Sequence, residues 1–157
     1  MKKRLLIISI IAALLVISIV ILITIKERVN IAVIGNYSGG ETSYDQLGYN
    51  GIELAAKDIN EVQDDTLYRL YQIDMSIFDT EDKLDEEIKR VKADMIFGPF
   101  LSSSLVQVAD YLKSQDIPVF VISATHDSVS GGDDSVFRLM NSTSNQAHQT
   151  AELIETL

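Results

Sequence analysis

Gly35 and Gly40 bracket a loop that follows an apolar run, and Glu41 and Thr42 come directly after it. A phosphate loop has glycine, any four residues, glycine, lysine and then serine or threonine after a strand. The lysine meets the β- and γ-phosphates, and here Glu41 puts a carboxylate in its place. A few ångströms from a triphosphate, such like charges repel by about 1 kcal/mol or more. The glycines at 35, 39 and 40 also miss the dinucleotide fingerprint, whose three glycines are separated by one residue and then two. The loop therefore reads as a turn that needs glycine, not as a nucleotide cradle.

A second chemistry is carried by hydroxyls. The stretch Gly98-Pro-Phe-Leu-Ser-Ser-Ser104 sets Ser102 and Ser103 where a helix begins, so hydroxyls and backbone N–H groups converge there and the helix dipole favours an anion. The bland reading is that one serine caps the helix. Ser123-Ala124-Thr125 repeats the pattern in a later loop, and two such loops together point to a small polar ligand. Metal chemistry is poorly supported: His126 and His148 are the only histidines, and Asp127, Asp133 and Asp134 do not keep a calcium-loop spacing. A Gly-x-Ser-x-Gly nucleophile elbow is absent. No catalysis, metal or cofactor is expected.

The elements that must position these loops follow from periodicity. Residues 29–35, 70–78, 93–99, 117–123 and 136–139 are short apolar or alternating runs, each read as a strand. Between them lie helical stripes. In the first, Leu47, Gly51, Leu54, Ala55 and Ile59 share one face, with Thr42 or Ser43 as the cap. Leu84, Ile88 and Val91 form the second, and Leu105, Val108, Ala109 and Leu112 the third. A last helix from about Ser144 sets Ala147, Ala151 and Ile154 in register. This alternation predicts an α/β fold, a parallel sheet with helices on both faces. Ligands of such sheets bind beyond the carboxyl ends of the strands. The loops at 35–44, 79–82, 98–103 and 123–135 are thus the ones that matter.

Residues 5–25, LLIISIIAALLVISIVILITI, contain no charge. As a helix they would span roughly 30 Å, the thickness of a bilayer's hydrocarbon core. Lys2, Lys3 and Arg4 precede the run, which the positive-inside rule keeps in the cytoplasm. A cleaved signal peptide is the alternative, but the run exceeds its usual core and no small-x-small site follows. An uncleaved signal anchor over 1–28 is expected, with residues 29–157 extracytoplasmic at the cell membrane. Setting aside Lys2, Lys3, Arg4, Lys26, Glu27 and Arg28 leaves 8 basic and 22 acidic residues, a net charge of −14. That surface repels phosphate backbones, which argues against nucleic acid as a partner.

The order of motifs resembles the first lobe of type I periplasmic binding proteins, in particular the leucine/isoleucine/valine receptors of ABC importers. The resemblance is carried by IAVIGNYSGGETSYDQLGYNGIELAAKDINE at 31–61, ADMIFGPFLSSS at 93–104, IPVFVISATHDS at 117–128 and VFRLMNSTSNQA at 136–147. It departs from the family at Asn36, where proline is usual, and in the 122–128 loop, which lacks a usual proline. The resemblance implies an amino-acid-like ligand held by Ser102 and Ser103 and by Ser123, Ala124 and Thr125. Tyr44 would lie along the ligand's side chain. It implies a substrate-binding component that feeds an ABC permease, and a lobe truncated in the helix that would lead to its second half. The alternative is the extracellular sensing domain of a histidine kinase or diguanylate cyclase, to which an uncleaved anchor is suited.

Overall fold

The computed structural model describes residues 10–11, 13–18, 27–40, 43–63, 66–78, 80–129 and 135–156. Most of the expected membrane run lies outside these residues. Its described part, 10–11 and 13–18, is helical with exposed apolar side chains. Among the described residues no helix is long and apolar enough to cross a membrane.

The lobe is a five-stranded parallel sheet: β1 (Glu27–Gly35), β2 (Thr66–Asp74), β3 (Met95–Phe97), β4 (Val119–Val121) and β5 (Val136–Arg138), in the order β2-β1-β3-β4-β5. The helices are α1 (Tyr44–Val62), α2 (Glu81–Val91), α3 (Ser102–Lys113) and α4 (Thr143–Glu155). From β1 the chain winds first to β2 and then back past β1 to β3. The winding direction therefore reverses between β1 and β3, and a crevice opens there at the carboxyl ends.

β1 is buried on both faces, which is why residues 31–35 read as an unbroken apolar run. Ala32 and Ile34 face α2 and α3, where Leu84, Ile88, Leu105, Val108 and Leu112 close the main core. Ile31 and Val33 face the other way, toward Ile52, Phe97 and Phe100. Both the α2 and the α3 stripes read from sequence are buried as expected.

Three expectations need correction. The alternation over 70–78 predicts a strand as far as Phe78, but β2 ends at Asp74. There the Asp74 carboxylate accepts from Ser76 N–H and Oγ–H and starts a 3₁₀ turn, Met75–Ile77. The stripe of α1 faces outward: Leu47 and Leu54 are 58% and 60% exposed. The helix instead seats Asp45 and Ala56. It is drawn in by the Asp45 carboxylate, which accepts from Asn36 N–H at 2.5 Å, and by Gly48, which lies against the Phe100 ring with no room for a Cβ. In α4 no residue is buried, and Ile154 is 65% exposed. An amphipathic period marks a face as apolar but does not supply the layer that covers it.

Candidate functional site

Gly98 shapes the end of β3. Its φ is +101°, and a Cβ there would overlap the Ile34 carbonyl of β1, so only glycine brings these two strand ends so close. The chain then passes through Phe100 and Leu101 into α3. Leu101 occupies the N-cap position and gives no side-chain cap, so no serine caps this helix. The first-turn amides, together with the dipole, stay directed at the crevice.

Ser102 does something else. Its Oγ accepts the backbone N–H of Thr125 at 3.1 Å and of His126 at 3.2 Å, which uses both lone pairs. Its hydroxyl proton has no acceptor among the described residues, so Ser102 is left as a donor. Ser103 is exposed, and its hydroxyl makes no hydrogen bond among the described residues. Ser123 donates its hydroxyl to the Phe100 carbonyl at 2.7 Å, tying the two loops together and keeping only acceptor capacity. Ala124 is buried, and Thr125 Oγ1 lies 3.2 Å from Thr143 Oγ1. The structure thus brings Ser102, Ser123, Ala124 and Thr125 into one hydrogen-bonded cluster, with Ser103 beside them at the head of α3.

Tyr44 stands apart from that cluster and is 56% exposed. It shares with Ser123 an apolar groove of about 490 Å³, lined also by Leu47, Gly51, Ile52 and Phe100. The groove thus opens along the outward stripe of α1. A hollow of about 200 Å³ between α2 and α3, around Leu84 and Val108, lies away from the hydroxyls.

The loop from β1 to α1 hangs on two carboxylates. Asn36 N–H donates to Asp45 and Tyr37 N–H to Asp74 at 3.2 Å, while the Tyr37 hydroxyl donates back to Val33 O. Asp45 is 1% exposed, and its Oδ1 has no partner among the described residues. Burial pushes its pKa up, the Asn36 hydrogen bond opposes this, and the nearby Asp74 charge adds to the rise. For Asp74 burial also raises the pKa, but the hydrogen bonds from Ser76 and Tyr37 outweigh it and hold the carboxyl below the usual range. The Tyr37 hydroxyl is pushed up by burial and then by Asp45, so it stays protonated and acts as a donor.

Three of these residues were not singled out in the sequence. Asp45 sits in a helix's first turn, where an acidic side chain is ordinary. Phe100 is one apolar residue in a loop. Arg138, whose guanidinium reaches into the 124–126 loop, is a lone cation in a strand. Asp45 and Phe100 carry no spacing that marks them, whereas Arg138 falls in the 136–147 stretch that carries the family resemblance, with no role attached to it there.

No family model and no curated protein matches the sequence. Solved structures do. The substrate-binding protein LivJ of a branched-chain amino acid transporter from Streptococcus pneumoniae, in complex with isoleucine, superposes with a TM-score of 0.63 at 20% identity, over 74% of this chain and 34% of that one. The fold is one lobe of a type I periplasmic binding protein. The leucine-binding protein LivK from Thermotoga maritima matches this lobe with a TM-score of 0.64 at 23% identity, over 78% of this chain and 35% of that one. A solute-binding protein of an ABC transporter from R. palustris, in complex with 4-hydroxybenzoate, gives 0.59 at 18% identity, over 79% and 36%. The present chain therefore spans about a third of the length of each, and all three are binding proteins.

Proposed function

We propose that this lobe binds a small amino-acid-like solute outside the cell, as the substrate-binding component of an ABC transporter. The observation that carries the reading is the Ser102 cluster. It offers a hydroxyl whose acceptor sites are filled and whose proton is free, beside uncapped helix amides, at the carboxyl ends of β3 and β4. Donors so arranged suit a carboxylate, and the apolar groove under Tyr44 and Phe100 suits a hydrocarbon side chain. The bound isoleucine of the pneumococcal structure has both features. The uncharged run 5–25 supports a signal anchor as the tether, with 29–157 as the extracytoplasmic lobe and a permease as partner. That same uncleaved anchor is what favours the second reading, a sensing lobe of a membrane signalling protein.

One lobe makes only part of the contacts of a closed two-lobed site, so weak binding is expected. Titrating the detergent-solubilised chain with isoleucine should shift the amide signals of Ser102, Ser103 and Thr125, with a Kd of about 1 mM or weaker, some −4 kcal/mol or less. Ser102→Ala should abolish those shifts. Shifts confined to other residues, or a response of Ser102→Ala equal to the wild type's, would overturn the reading.

A further inference from the structure

In the 124–126 loop all three carbonyls and the N–H groups of Thr125 and His126 are hydrogen-bonded. Ser102 Oγ accepts the N–H of Thr125 and of His126. The Thr125 carbonyl accepts from Thr143 N–H at 2.8 Å and Thr143 Oγ1 at 3.1 Å. The two remaining carbonyls, of Ala124 and His126, both go to one side chain: Arg138 Nη1 donates to Ala124 O at 2.8 Å and Nη2 to His126 O at 2.6 Å. These carbonyls are two residues apart, and the planar guanidinium fork spans them as a single rigid bracket. A lysine ammonium has no such fork. No carboxylate lies within ion-pair distance of Arg138 among the described residues. Its charge is therefore spent on neutral carbonyls directly behind the Ser102 hydroxyl.

We propose that Arg138 is the positioning residue of the candidate site, bracketing the 124–126 loop so that its two amides reach Ser102. With the carbonyls of Ala124 and His126 fixed from behind by Arg138, the amides of Thr125 and His126 point forward to Ser102 Oγ. Two accepted N–H bonds then fill the hydroxyl's lone pairs and turn its proton outward. The cation also biases the site toward a ligand bearing an anionic group, a consequence that rests on the binding role proposed above. Arg138 itself need touch no ligand.

Amide hydrogen exchange on the ligand-free chain tests the bracket without any ligand. Arg138→Gln and Arg138→Lys should each speed exchange of the Thr125 and His126 amides by about tenfold or more, the effect of losing hydrogen bonds to a charged donor. Exchange of Ile96 N–H, which donates to Pro118 O in the centre of the sheet, should stay within about twofold. Lysine keeps the charge and most of the stem, so if Arg138→Gln does not fold, Arg138→Lys decides alone. Wild-type protection in Arg138→Lys would overturn the proposal, and so would equal acceleration at Ile96, which would make Arg138 a general stability residue. Titration with isoleucine separates the two ideas. If the wild type gives no shifts while the exchange result holds, the binding role fails and the bracket stands.

Discussion

At the scale of single residues, the sharpest anomaly is Asp45. A carboxylate 1% exposed with one oxygen unpartnered is costly to keep charged, because a low-dielectric site disfavours the ionised form. Its folded pKa lies above its ordinary 3.8, so the folded chain holds a proton that the unfolded chain releases. The associated stability is complete below about pH 4 and is lost as pH rises through the folded value. Asp74 has the opposite sign. Its folded pKa is lowered, so its stability is present above the ordinary value and lost as pH falls through the folded one. Asp45→Asn keeps an acceptor for Asn36 N–H and removes the charge. It should flatten the fall in Tm on going upward from pH 4 and leave stability at pH 7 no lower than wild type. Asp45→Ala removes the acceptor and should cost about 1–3 kcal/mol. Thermal melts from pH 4 to 8 report both, and a wild-type slope in the asparagine variant would contradict the assignment.

At the scale of elements, the sequence pattern placed the faces of α2 and α3 well, turned over that of α1, and marked on α4 a stripe that nothing among the described residues buries. For α2 and α3 the apolar stripe is the buried stripe, because each helix is packed across the sheet by its longest aliphatic side chains. In α1 the large residues Leu47 and Leu54 lie outside, while Asp45, Gly48 and Ala56 lie toward the sheet. A stripe is recognised by the polarity of its residues, so a buried aspartate and a glycine count against the face that they occupy. The consequence is measurable. Leu54→Glu should change stability by no more than about 0.5 kcal/mol, as for an exposed site. Leu112→Ala in α3, at 0% exposure, should cost about 2–5 kcal/mol. Urea unfolding of the two variants decides, and a large loss from Leu54→Glu would return α1 to the orientation read from its stripe.

At the scale of the whole molecule, the sheet has a covered side and a partly bare one. α2 and α3 close one face, whereas the other carries the stacked rings of Phe97, Phe120 and Phe137, with centroids 5.0 and 5.3 Å apart, and Phe137 is 49% exposed. The acidic lobe and the uncharged run before it set the expected cellular geometry. In bacterial cells the chain should stay with membranes after alkaline extraction. Protease added from outside should digest 29–157 while the N-terminal stub stays protected. Release of the lobe by alkali, or protection of the lobe in intact cells, would remove the anchor from the proposal.

The strand and helix order and the parallel sheet were readable from local pattern, because period, glycine and β-branched content act over a few residues. The hydroxyl loops at 102–103 and 123–125 were readable for the same reason, as residue types at strand ends. Their hydrogen-bond partners were not. Ser102 meeting the amides of Thr125 and His126, Ser123 meeting Phe100 O and Arg138 spanning Ala124 and His126 all join residues 12–24 positions apart. The face of α1 was settled by Asp45 reaching Asn36 and by the fit of Gly48 to Phe100. Sequence alone therefore determined which segments would form and which loops would stand at the carboxyl ends of the strands. Only tertiary packing decided which way each side chain faces and whether its polar atoms are already taken, since those depend on partners that chain order does not bring together.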